Sequence, residues 1–212
     1  YMGYLNTKLY KHQFFDYILL VEDRLSKKYL ECTLSEIFEL NIPRYEIITI
    51  GGADKVFEIN RENKIYKYFG DAKIISIPDE DKKDKFKEYK DHKFIEIYIP
   101  VEKNIEDFIY KKYKMNDNKF VSQFEEFVNK KYYRGTLNSF KKIYEEKSAK
   151  NFFKDIGCQI ARETKNPINE TIEIFLSNEI TTDLVEFIFT YTNMSNEFKS
   201  FKGKLKSFFD EN

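Results

Sequence analysis

The stretch that most limits how this chain can fold is Tyr17-Ile18-Leu19-Leu20-Val21, an apolar run without a polar break that stops at Glu22-Asp23. A strand with one wet face alternates apolar and polar side chains. A run that is apolar throughout suits a strand covered on both faces, as inside a parallel sheet. Open α/β sheets gather their ligands beyond the C-terminal ends of the strands, which is where Glu22 would stand. A buried strand followed by an ordinary acidic turn would look the same. A second acidic strand end elsewhere would favour the functional reading.

That second end exists. Lys73-Ile74-Ile75-Ser76-Ile77 reads as a strand, and Pro78-Asp79-Glu80-Asp81 follows at once. Between the two, Arg24 to Leu40 has apolar residues at three- and four-residue steps and predicts a helix closed by Pro43. Tyr45 to Ile50 is β-rich and runs into Gly51-Gly52, a pair that permits a tight turn or a close approach of a ligand. Ala53 to Phe69 predicts a second helix, and Phe94 to Ile99 a fourth strand stopped by Pro100. Strands alternating with helices predict a mainly parallel four-stranded sheet flanked by helices, an α/β core over residues 1–101. From residue 102 to 212 strand signals fade, and a helical C-terminal region is expected. Its predicted helices are Asn104–Lys114, Lys119–Lys131, Thr136–Glu146, Ala149–Glu163, Asn169–Leu176 and Asp183–Tyr191.

With 36 basic and 36 acidic side chains the formal net charge is +0, so any binding to nucleic acid must come from a local patch. Cys32 and Cys158 stand alone, without a CxxC or a Cys/His cluster, which argues against a zinc site and fits a reducing cytoplasm. No apolar stretch approaches the roughly 18 to 20 residues of a membrane span.

In a parallel sheet the C-terminal strand ends share one edge, so Glu22 can converge with Asp79 and Asp81. Converging carboxylates repel unless a cation lies between them, and oxygen donors suit Mg²⁺ or Mn²⁺. One or two such ions could activate water and stabilise charge on a phosphate. The alternative is that Asp79–Asp81 is a surface turn and Glu22 caps the next helix.

The order strand–Glu, helix, strand–Gly-Gly, helix, strand–Asp-x-Asp resembles the Toprim domain. Within that group it is most similar to the OLD (overcoming lysogenization defect) family of ATP-dependent nucleases. The resemblance rests on Phe14 to Glu22, Ile48 to Gly52 and Ile75 to Asp81. It implies that Glu22 takes the place of the family's glutamate, and Asp79 and Asp81 those of its paired aspartates. Related nucleases carry a further glutamate after the fourth strand, which implies Glu106 as a metal ligand. A first-turn acid facing the helix dipole is the plain alternative for Glu106. The segment Ser148 to Phe153 loosely resembles the family's late lysine segment and implies Lys150 as a group steadying the scissile phosphate; a solvated helical lysine would look no different. The implied function is a metal-dependent endonuclease of antiviral defence working with an ATPase domain or subunit, in a homo- or hetero-oligomer. A ribonuclease effector cutting RNA or tRNA, and a scaffold without chemistry, are the alternatives. Asp23 stands where the family has glycine, and Pro78 directly precedes Asp79. No GxxxxGK[ST] phosphate loop occurs, so the expectation is either that the ATPase segment was removed from this chain or that this is a stand-alone Toprim protein.

Between Lys103 and Lys150 basic residues outnumber acidic ones. Lys111, Lys112, Lys114, Lys130, Lys131, Arg134, Lys141 and Lys142 lie among Tyr110, Tyr113, Tyr132 and Tyr133. Such a mixture can track a phosphate backbone and stack unpaired bases, with Lys111, Lys112, Lys130, Lys131 and Arg134 the candidate nucleic-acid contacts. A solvated helix in a Lys- and Tyr-rich chain has the same appearance.

Overall fold

In a computed structural model, β1 (Tyr17–Val21) lies between β2 (Tyr45–Thr49) and β3 (Lys73–Ile77) and is parallel to both. The structure describes residues 15–38, 43–52, 55, 72–84, 97–132, 148–163 and 179–210. Ile18 to Val21 are fully buried, as the unbroken apolar run predicts for a central strand. The register pairs Val21 with Thr49 on one side and with Ile77 on the other, so the three strands end level. Ile18 and Leu20 face one side with Ala72, and Phe15, Ile48, Ile50 and Ile74 pack against them.

The expected fourth strand is not formed among the described residues. Residues 94–96 lie outside them, and Ile97 to Ile99 join no ladder. The Ile99 N–H donates to the Pro78 carbonyl at 3.3 Å, a bond made past the end of β3. The predicted helices over Thr136–Glu146 and Asn169–Leu176, and the one over Ala53–Phe69 except for Lys55, fall outside the described residues.

Helix α1 (Arg24–Ile37) opens on Asp23, whose carboxylate accepts the Ser26 N–H at 2.9 Å, and buries Leu25, Tyr29, Leu30 and Leu34. It ends short of the predicted Leu40 because Phe38 leaves the helical conformation and turns its ring onto Phe209, 4.9 Å between centroids. Asp23→Ala removes one cap and should cost about 1 kcal/mol in urea unfolding, with the fold retained.

The chain divides into two compact units, residues Tyr1–Pro100 with Thr192–Asn212, and Val101–Tyr191. Residues 192–212 therefore group with the sheet rather than with the helices that precede them. The reason is α6 (Asn196–Asp210), a helix that the sequence reading did not identify. Its stripe of Phe198, Phe201, Leu205, Phe208 and Phe209 is buried, and the Tyr17 hydroxyl donates to the Phe209 carbonyl at 3.0 Å. Tyr29 and Thr192 share a buried hydroxyl contact of 2.7 Å, and Lys202 pairs with Glu36 at 3.2 Å.

The second unit is helical. It comprises α2 (Ile105–Lys114), α3 (Asn118–Tyr132), α4 (Ala149–Glu163) and α5 (Glu179–Thr192) up to Tyr191. Its interior is aromatic: Phe120 stacks on Phe124 at 5.8 Å, and Tyr113 meets Phe152 at 5.2 Å. No helix among the described residues is long and apolar enough to cross a membrane.

Candidate metal centre

Because the strands end level, the residues that follow them share one edge. After β1, the Val21 carbonyl accepts the Ile50 N–H and the Glu22 carbonyl accepts the Gly51 N–H at 2.8 Å. Gly51 and Gly52 have φ of 83° and 139°, a region that favours glycine and turns the chain away at this edge. After β3, Pro78 leads to Asp79, and a 3-10 turn over Glu80–Lys82 is closed by the Lys82 N–H donating to the Asp79 carbonyl at 3.2 Å.

The acids meet here. Glu22, Asp79 and Asp81 each offer one carboxylate oxygen, and the three oxygens lie within 4.8 Å of one another. Asp79 is only 8 % exposed, Glu22 is half-buried, and Asp81 is exposed. Two hydrogen bonds set the geometry. The Asp79 N–H donates to Glu22 Oε1 at 3.3 Å, and the buried Ser26 hydroxyl donates to Asp79 Oδ1 at 2.9 Å. Pro78 removes its own N–H but leaves the next amide, that of Asp79, free to reach Glu22.

Ser26 was not singled out in the sequence. Its signal is the Asp23-x-x-Ser26 spacing, which places it in the first turn of α1, beside the ends of both strands. Asp23 caps α1, so the residue at the resemblance's glycine position is spent on the helix and not on the cluster.

Burial pushes the Glu22 carboxyl above its ordinary range, and the nearby Asp81 and Asp23 push the same way. The Asp79 N–H and Lys82 act in the opposite direction without cancelling the rise. The Lys82 ammonium reaches Asp81 Oδ2 at 2.6 Å, and that bond first, then the charges of Asp81, Glu22 and Asp79, hold its pKa above the usual lysine range.

The donor set is all carboxylate oxygen, with no imidazole or thiolate among its members. It suits hard divalent cations such as Mg²⁺ or Mn²⁺ and not zinc.

The remaining candidates lie in the second unit. Glu106 stands in the first turn of α2, next to Asp107, whose N–H is received by the capping side chain of Asn104. Lys150 is exposed in the first turn of α4, which Ser148 opens through its hydroxyl to the Asn151 N–H. Lys111 pairs with Glu102 at 2.7 Å and Lys130 with Glu126 at 2.6 Å. Lys112 pairs with Asp117 at 3.1 Å and lies 5.6 Å from the ring centres of both Phe108 and Tyr191, so it is built into the packing. Tyr113 is fully buried and offers no face to a base. The side chain of Lys131, all of Arg134, and the rings of Tyr132 and Tyr133 fall outside the described residues.

No protein-family model, curated protein or solved structure matches the chain.

Proposed function

We propose that this chain is a phosphodiesterase dependent on a divalent metal ion, acting on nucleic acid in the manner of a Toprim nuclease and working beside an ATPase in antiviral defence. The observation that carries the reading is the meeting of three carboxylates from two different strand ends within 4.8 Å. The three carboxylates repel one another, Lys82 offsets one of their charges, and a divalent cation would offset the rest. The resemblance of Phe14–Glu22, Ile48–Gly52 and Ile75–Asp81 to the OLD family supports the choice of chemistry.

Glu22, Asp79 and Asp81 would hold Mg²⁺ or Mn²⁺. The ion, when bound, supplies Lewis acidity and neutralises charge at a phosphate. The protein's own part is positioning. Ser26 fixes the rotamer of Asp79, and the Asp79 amide fixes Glu22. By the same resemblance, Glu22 would also assist proton transfer from an attacking water.

The test is cleavage of supercoiled plasmid and of labelled RNA with Mn²⁺, by wild type and by Asp81→Asn. Asp81 is exposed, so its replacement should leave the fold intact. Cleavage of either substrate should fall at least about a hundredfold, since loss of a ligand exceeds the usual effect of losing a ligand's supporting partner. Equal cleavage by the two proteins would sink the reading. The substrate that wild type cuts decides between DNA and RNA.

A further inference from the structure

Within the second unit, a groove between α3 and α5 holds a cavity of about 370 Å³, a volume in the range of small-ligand sites. The apolar side chains that line it are all aromatic: Phe127 from α3, and Phe187 and Tyr191, one turn apart on α5. All three are partly exposed. Two fully buried phenylalanines brace the rings. Phe120 meets Phe187 at 5.7 Å and Tyr191 at 5.0 Å, both edge-on, and Phe124 meets Phe187 at 5.4 Å. Rings already fixed in this way need little further ordering when a ligand arrives. The rim is polar and carries both signs. Glu126 and Lys130, both exposed, pair at 2.6 Å across one turn of α3, and Gln123 adds an amide. The Thr190 hydroxyl donates to the Glu186 carbonyl at 2.9 Å, which leaves its oxygen able to accept.

We propose that this groove receives an unpaired base of a single-stranded nucleic acid. The inference rests on the nucleic-acid part of the proposed function and deepens it by naming the state of the strand. Two features select this occupant. An all-aromatic lining suits a flat π-face, which stacks on it, better than an aliphatic side chain, which cannot. Rim groups that both donate and accept match the mixed edge of a base. A phosphate would instead meet the Glu126 carboxylate beside the Lys130 ammonium. Bases inside a duplex are stacked on one another and present no such face, so the groove favours an open strand.

The experiment is fluorescence anisotropy with the full chain in EDTA, which withholds the divalent ion. The probes are a short labelled oligothymidine and a strand of equal length built from abasic sites. Wild type should bind the base-bearing strand at least about fivefold more tightly, the low end of what one stacked base contributes. Tyr191→Leu should lose that preference, and Tyr191→Phe, which keeps the ring, should retain it. Thermal melts check that each variant is folded; the abasic comparison needs no variant and decides the matter even where Tyr191→Leu fails to fold. Equal affinity of wild type for the two strands, no binding of either, or a folded Tyr191→Leu that keeps the preference would overturn the proposal. So would a wild type that sediments as a dimer while Tyr191→Leu sediments as a monomer, which puts a second copy in the groove. All of these outcomes leave the metal centre standing, because Mn²⁺-dependent cleavage and its loss in Asp81→Asn are measured separately.

Discussion

Replacing Glu22 by glutamine should stabilise the metal-free protein and weaken the metal-loaded one. The folded state holds the Glu22 proton more tightly than the unfolded chain does, because burial and the neighbouring acids disfavour the charge. Between the ordinary carboxylate value and the raised folded value, the folded state therefore binds more protons, and stability falls as pH rises through that window. At neutral pH the ionised Glu22 opposes folding. Glutamine removes the charge and keeps an oxygen for the Asp79 N–H. In EDTA at neutral pH, Glu22→Gln should thus melt above wild type. The gap should close in acid, below the ordinary carboxylate range, where both states carry the proton. Saturating Mn²⁺ should reverse the order. A ligand that binds only the folded state adds about 2.7 kcal/mol at a hundred times its Kd. Wild type gains this, and the variant, lacking one of three ligands, gains little. Cleavage by the variant should fall at least about a hundredfold, by the ligand argument above. Melting curves that keep one order with and without Mn²⁺ would show that Glu22 is an ordinary half-buried acid.

The site was more legible in the sequence than its supports were. Glu22, Asp79 and Asp81 stand out because they end apolar runs, and parallel pairing brings strand ends to one edge however far apart they lie in the chain. Ser26 and Lys82 carry no such mark. Ser26 is one small polar residue in the first turn of a helix, and its role exists only because Asp79 arrives beside it from 53 positions away. Lys82 is the first of two adjacent lysines, and only the 3-10 turn distinguishes it from Lys83. The fourth strand misled by composition. Phe94 to Ile99 alternates like a strand, but residues 94–96 lie outside the described residues, and among those described Ile97 to Ile99 join no ladder, the Ile99 N–H reaching the Pro78 carbonyl past the end of β3. The final helix was hidden in the opposite way. Lys199, Lys202, Lys204 and Lys206 give the segment a solvated look, and the phenylalanines between them fall at helical steps that bury a whole face.

That hidden helix sets the second large effect. Phe209→Ala should cost about 3–5 kcal/mol of unfolding free energy, the range for an aromatic removed from a packed core. Phe209 is 6 % exposed although it lies near the end of the chain. Its ring meets Tyr17 at 4.7 Å, Phe38 at 4.9 Å, Phe208 at 5.4 Å and Tyr45 at 6.4 Å. Apart from Phe208 in the same helix, those partners are the first residues of β1 and β2 and the residue that ends α1, so one ring joins three elements that are distant in sequence. The carbonyl of the same residue receives the Tyr17 hydroxyl, a bond that a shifted helix end would lose as well. Lys206→Ala, on the exposed side of the same helix, should change stability by no more than about 0.5 kcal/mol. Urea unfolding of the two variants separates packing from helix propensity, since alanine favours the helix in both. If Phe209→Ala unfolds with wild type, the C-terminal helix is an appendage and the sheet must be held by other contacts. If it unfolds early and Mn²⁺ stabilises it by a different amount from wild type, the two ends of β1 are thermodynamically linked. A ligand at the carboxylates would then be stabilising a strand whose opposite end is anchored by the last helix.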